Sequence, residues 1–181
     1  MIALPPLPSW QGLHPLVIHF PIALLMVAPF FVILGAAVKP ERSHPYLLSA
    51  LWLMVLGTAS VFVAVGSGEA AGRLAERSPE INATLEHHEA LAERTRMLFS
   101  TLTVFFAMIV LVPPWLHRQH RWITTGLPLV FLGLYGAGIV SLVNTAHNGG
   151  RLVHEFGVHA VITPSAVPEK SNTASPPHEA E

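Results

Sequence analysis

Cysteine is absent from this chain of 181 residues, and charged side chains are scarce. Without cysteine the protein can form no disulfide, iron–sulfur cluster, cysteine-bound zinc site or covalently attached c-type haem. Lysine, arginine, aspartate and glutamate make up 12% of the chain, whereas soluble domains contain roughly 25%. Hydrophobic residues account for 51%, and the mean hydropathy is +0.51. This balance is typical of an integral membrane protein, and the net charge of -1 gives no electrostatic basis for binding nucleic acid.

Four apolar segments contain no lysine, arginine, aspartate or glutamate, and each is long enough to cross a hydrocarbon layer of ~30 Å. They cover about residues 16–38, 46–66, 97–116 and 122–143. A run of good helix formers precedes the third segment and follows a break at Ser78-Pro79. The sequence therefore predicts an all-α fold, a four-helix transmembrane bundle with an extramembrane helical extension before helix three.

The ends of this bundle are also predicted from local composition. Asn148-Gly149-Gly150 is expected to end the fourth helix, because paired glycines allow the chain to turn back. Residues 1–160 are expected to form the transmembrane domain. Residues 161–181, rich in proline, serine and glutamate, are expected to form a disordered extracytoplasmic tail.

Positive charges predict how the bundle is oriented. Lys39 and Arg42 lie in the first short connection, and Arg118 and Arg121 lie in the second. Because positively charged loops stay in the cytoplasm, both short connections are expected there. Both termini and the long connection, about residues 67–96, would then face the periplasm from a bacterial inner membrane.

Six of the eleven histidines lie at or just beyond the outward end of these segments. They are His14, His19, His87, His88, His147 and His154. Imidazole is expensive to place in hydrocarbon and is the commonest metal ligand, so a one-sided cluster predicts a cofactor or metal site. Haem b needs only two neutral histidines from facing helices. We expect one or two b-type haems, bound by histidines chosen from His14, His19, His88 and His147, with His154 in reserve.

Spacing separates these candidates. His14 and His19 are five residues apart and point roughly 140° away from each other on a helix, so they are not expected to share one iron. His19 is the strongest candidate because it lies within an apolar run and would be costly to leave unpaired. The alternative is that His14 caps the helix at the interface and His19 bonds a neighbouring carbonyl. The spacing does not decide between His87 and His88.

Two other interpretations remain open. A non-haem zinc, copper or iron site in an accessory or sensor protein would draw on His19, His88 and His147, with Glu69 or Glu89 as further ligands. With haem, the same carboxylates would orient the ligating imidazoles. A packing module without cofactor would use histidines as interhelical hydrogen-bond partners.

No nucleophile–base arrangement lies within the apolar segments, so the sequence favours an electron-transfer subunit over an independent enzyme. The expected partners are the lipid bilayer and a cytochrome or other redox protein on the periplasmic side. No nucleic-acid partner is expected.

Four sequence elements together resemble domain-of-unknown-function family 2231, small bacterial membrane proteins, over about residues 13–160. The elements are His14-Pro15 through His19-Phe20-Pro21, the small-residue stretch 66–72, His88-Glu89 and Gly149-Gly150-Arg151-Leu152-Val153. The resemblance implies a four-helix membrane domain that sometimes accompanies cytochrome or electron-transfer modules and has no established activity. Members often read L-V-Y-x-H-G-V near the end; this chain has His154 at the tyrosine and Phe156 at the histidine.

Overall fold

Four long helices form the protein in a computed structural model that describes residues 8–75, 78–111 and 122–159. They are α1 (His19–Ala37), α2 (Pro40–Gly72), α3 (Pro79–Val110) and α4 (Leu127–His154). A 3-10 turn at Trp10–Leu13 and one α-helical turn at His14–Val17 lead into α1, and a π-helical turn at Trp122–Gly126 leads into α4. The described ranges contain no strand, so the predicted all-α four-helix fold is confirmed.

The helix boundaries follow from proline and capping chemistry. Pro40 and Pro79 each occupy the first turn of their helix, where a missing N–H removes no helical hydrogen bond. The Ser78 hydroxyl caps α3 by accepting the Ile81 N–H at 3.2 Å. The predicted break at Ser78-Pro79 and the helical extension after it are therefore present.

Sequence neighbours pack against each other as two hairpins, α1 with α2 and α3 with α4, and α2 packs on α3 between them. The core contains stacked aromatic rings from the second hairpin, with the centroids of Phe106 and Phe131 4.6 Å apart. Tyr135 is also buried, and its hydroxyl donates to the Leu25 carbonyl at 2.8 Å. This hydrogen bond joins α4 to α1, because a buried phenol needs a polar partner.

Three helical stretches are long and apolar enough to cross a membrane: Trp10–Ala37, Pro40–Gly72 and Trp122–His154. Large apolar side chains such as Phe20, Phe30 and Trp52 lie exposed on their outer faces, as a lipid-facing surface requires. The predicted third span runs beyond residue 111. Its last part, the second short connection and the predicted tail lie outside the described residues.

One predicted boundary is wrong. Helix α4 does not end at Asn148-Gly149-Gly150 but continues to His154. The Arg151 guanidinium pairs with Glu155 across one turn at 2.9 Å, which stabilises this last part. A turn follows at residues 155–156, and Gly157 after it has a φ of 64°, in the left-handed region that glycine adopts readily. The glycine at 149 serves side-chain packing rather than chain reversal.

Candidate functional site

His14 lies in the helical turn just before α1 and faces the last part of α2. Its Nδ1 is 2.9 Å from the Ala64 carbonyl oxygen. The ring lies directly over Gly68, where an added Cβ would be 2.8 Å from the imidazole Cε1. Only glycine leaves room for the imidazole at this distance. His14 is therefore held by a carbonyl and a glycine that are four residues, or about one helical turn, apart.

His88 repeats this arrangement in the second hairpin. Its Nδ1 is 3.0 Å from the Thr145 carbonyl oxygen of α4. A Cβ added at Gly149 would be 3.0 Å from the His88 Cε1. Thr145 and Gly149 are again four residues apart. Each histidine thus donates to a carbonyl of the next helix and packs on the glycine one turn further along.

These hydrogen bonds define the tautomer of both rings. A backbone carbonyl can only accept, so Nδ1 carries the proton in each neutral imidazole and Nε2 carries the lone pair. Within residues 8–75, 78–111 and 122–159, neither Nε2 makes a hydrogen bond. An imidazole whose Nδ1–H is held by a carbonyl is oriented for its Nε2 to bind a metal.

The two rings are also close enough to influence each other electrostatically. His88 is half-buried, and burial lowers its pKa below the ordinary value, although the hydrogen bond to the Thr145 carbonyl opposes this. The charges of His14 and His87 lower the pKa of His88 further. The neutral, ligand-competent form of His88 is therefore favoured.

Neighbouring polar groups support each half of the site. On α2 the Ala64 carbonyl also accepts the Ser67 hydroxyl at 3.1 Å, and the Trp10 indole donates to the Gly66 carbonyl at 3.2 Å. Beside His88, the Thr95 hydroxyl of α3 lies 2.9 Å from the Thr145 hydroxyl of α4. Both acceptor carbonyls therefore belong to residues in a local hydrogen-bond network.

Four of the predicted histidines do not share this position. His19, His87, His147 and His154 are all exposed. His19 lies exposed on the outer surface of α1 beside Phe20, in a stretch apolar enough to face lipid, so it does not join His14 and His88. Of the adjacent pair, His88 faces the bundle and His87 faces outward. The five-residue separation of His14 and His19 gives the divergent directions that the spacing predicts.

The predicted carboxylates lie beside the site rather than behind its imidazoles. Glu69 and Glu89 are exposed and line an open cleft between the end of α2 and the start of α3, together with Arg73. The hydrogen bonds that orient His14 and His88 go to backbone carbonyls instead. The described part of the chain contains no group of three or more histidine, aspartate or glutamate side chains arranged to hold a metal ion.

Sequence reasoning missed the carbonyl acceptors, since any backbone carbonyl is invisible in a residue pattern. The sequence does contain one pattern that could predict these acceptors, a glycine four residues after each of them. Ala64 with Gly68, and Thr145 with Gly149, each form a pair spaced four apart on the helix after a histidine-bearing one. The glycine would identify where the ring lies, and the residue four before it would identify the acceptor.

The fold and apolar surface define an all-α, multi-pass membrane protein. The family model described as "Predicted membrane protein (DUF2231)" matches residues 11–161. The chain therefore belongs to this family, as its sequence elements predict, and both hydrogen-bonded histidines lie within the match. No curated protein and no solved structure matches the chain.

Proposed function

We propose that this protein is an electron-transfer membrane subunit that binds one b-type haem through His14 and His88. The observation that supports this proposal is the matched pair of imidazoles, each held at Nδ1 by a carbonyl of the next helix. A bound b-type haem would supply a one-electron redox centre. The chain's own residues orient both nitrogen ligands and keep them neutral.

The donor set suits this group. Two imidazoles would supply the protein ligands of a b-type haem without cysteine, and helix bundles provide such pairs from facing helices. Gly68 and Gly149 let the two imidazoles pack directly against the helix backbone, which fixes the position of each ring. His19, His147 and His154 take no part in this assignment, because their side chains are exposed.

The chemistry of the core favours electron transfer over group-transfer catalysis. The buried polar side chains in the described ranges are all hydroxyls, from Ser43, Thr58, Ser67, Thr95 and Thr124. Serine and threonine hydroxyls stay neutral and make poor general acids or bases near pH 7. Electron transfer requires ordered ligands and a rigid surrounding, which helix packing supplies.

The proposed site faces the periplasm of a bacterial inner membrane. This orientation rests on Lys39 and Arg42 in the first short connection and on Arg118 and Arg121 in the second. Both termini then lie outside, and the His14–His88 end of the bundle lies near the outer surface. A cytochrome or other periplasmic redox protein is the partner that such a position suits.

The test is the absorption spectrum of protein purified in mild detergent after expression with excess haem precursor. Wild-type protein should show the Soret and α bands of a six-coordinate b-type haem. His14→Ala and His88→Ala should each remove one axial ligand and alter or abolish these bands. His19→Ala and His87→Ala are the matched controls, because they change exposed neighbours of the two ligands. A wild-type protein without a Soret band would overturn the haem proposal.

A role in helix packing alone is the second candidate, because both histidine hydrogen bonds join two helices and need no cofactor. In that case His14→Ala and His88→Ala would lower the thermal midpoint of a protein that never holds haem. Metal analysis of the same purified sample tests the remaining alternative, a non-haem zinc, copper or iron site.

A further inference from the structure

We propose that Thr95 is a positioning residue for His88, acting through Thr145. Thr95 would fix the orientation of the His88 imidazole whether or not a cofactor is bound. Its expected effect on a haem spectrum rests on the proposed function. Thr95 is 2% exposed and lies on the same face of α3 as His88, seven residues or about two turns further along.

Three hydroxyls form a closed hydrogen-bonded group there. The Thr95 hydroxyl lies 2.7 Å from that of Ser141 and 2.9 Å from that of Thr145. The Thr145 hydroxyl donates to the Ser141 carbonyl at 2.9 Å, which uses its single proton. It must therefore accept from Thr95, and Thr95 in turn accepts from the Ser141 hydroxyl. The donor in each hydrogen bond of the group is thus fixed by the Ser141 carbonyl, which can only accept.

The group connects directly to the histidine. Thr145 receives the Thr95 hydroxyl on its side chain and the His88 Nδ1–H on its carbonyl. Thr145 of α4 is thus bonded to α3 twice, through its side-chain hydroxyl to Thr95 and through its backbone carbonyl to His88. Loss of the hydrogen bond between the Thr95 and Thr145 hydroxyls would allow Thr145 to shift relative to His88. The imidazole would then lose its fixed orientation.

Thr95→Val keeps the shape of the side chain and removes the hydroxyl. The Thr145 oxygen then loses its donor, and the Ser141 hydroxyl loses its acceptor in a half-buried setting. We expect haem to dissociate about 10-fold faster, in line with outer hydrogen-bond partners of other metal ligands. The low-spin g values of bound haem should change, because they would report the orientation of the imidazoles that bind it. Thr95→Ser retains the hydroxyl and should restore wild-type values.

The matched control lies on the same helix. Thr103 pairs with the Thr58 hydroxyl at 2.8 Å, two turns beyond Thr95. Thr103→Val therefore removes a hydroxyl pair between two helices without touching a residue that holds either histidine. It should lower thermal stability by an amount similar to Thr95→Val and leave the g values and the haem dissociation rate unchanged.

A second measurement needs no haem. Nitrogen-15 spectra of apoprotein labelled at histidine report which ring nitrogen carries the proton, and the His88 signal is the one lost in His88→Gln. Thr95→Val should shift His88 from the pure Nδ1–H tautomer towards a mixture, while Thr103→Val should not. An unchanged tautomer and unchanged g values in Thr95→Val would overturn the positioning role while leaving the haem function standing. If wild-type protein holds no haem but the tautomer shifts, the haem function fails and the positioning of His88 stands.

Discussion

The imidazole of His88 and the backbone of Gly149 are in direct contact, with Cε1 3.0 Å from the point where a Cβ would lie. This contact explains a glycine inside a helix, where it is less favourable than alanine by roughly 1 kcal/mol. It also makes the position a sensitive test of the site.

Gly149→Leu should displace the His88 ring and break its hydrogen bond to the Thr145 carbonyl. Overpacking of this kind destabilises by about 1–3 kcal/mol, and the proposed haem should be lost with the ligand. Gly150→Leu is the control, because among the described residues no atom outside its own helix turn lies within 4 Å of a Cβ added there. Absorption spectra and thermal midpoints of both variants provide the measurement. Equal effects at the two positions would contradict the packing role assigned to Gly149.

Tyr135→Phe should reduce the stability of the bundle independently of any cofactor. The change removes the hydrogen bond to the Leu25 carbonyl and retains the ring contacts with Phe99 and Phe131. The expected loss is about 1 kcal/mol in the free energy of unfolding. Tyr46, the other tyrosine of the chain, lies 36% exposed. Denaturation in detergent should show that Tyr46→Phe changes stability by less than about 0.5 kcal/mol.

Acidification should destabilise the apoprotein through His88. Its pKa is lowered below 6.5 in the folded state by burial and by the charges of His14 and His87. The unfolded chain therefore takes up a proton at higher pH than the folded protein, so stability falls as pH drops below about 6.5 and is unaffected above it. His88→Gln can keep a donor for the Thr145 carbonyl but does not titrate. Thermal midpoints between about pH 7.5 and 5.5 should fall less for this variant than for wild type or His87→Gln.

Topology can be measured with reporter fusions after residues 43, 119 and 175. Because Lys39 and Arg42 lie in the first short connection and Arg118 and Arg121 in the second, the fusions at 43 and 119 should report the cytoplasm and the fusion at 175 the periplasm. A cytoplasmic signal at 175 would reverse the proposed orientation and place the His14–His88 site on the opposite side of the membrane.

The helices could be predicted because their signals are local. Long runs without charge, Ser78-Pro79 and the charged stretch before residue 97 each act through near neighbours in the chain. The site required contacts that sequence distance conceals. His14 and Ala64 are 50 residues apart, and His88 and Thr145 are 57 apart. The sequence favours His19 over His14 because apolar residues surround it, yet its side chain lies exposed beside Phe20 while His14 packs on α2.

Each histidine of the pair is hydrogen-bonded entirely within its own hairpin: His14 to α2 and His88 to α4. The hydrogen bond that orients each imidazole therefore needs no residue of the other hairpin. The first imidazole can be oriented before the second hairpin exists, and docking of the two hairpins brings the oriented rings to the same end of the bundle. If the chain were divided between α2 and α3, each hairpin would keep its own histidine and the carbonyl that orients it. Association of the two hairpins in the membrane would then bring two oriented imidazoles together.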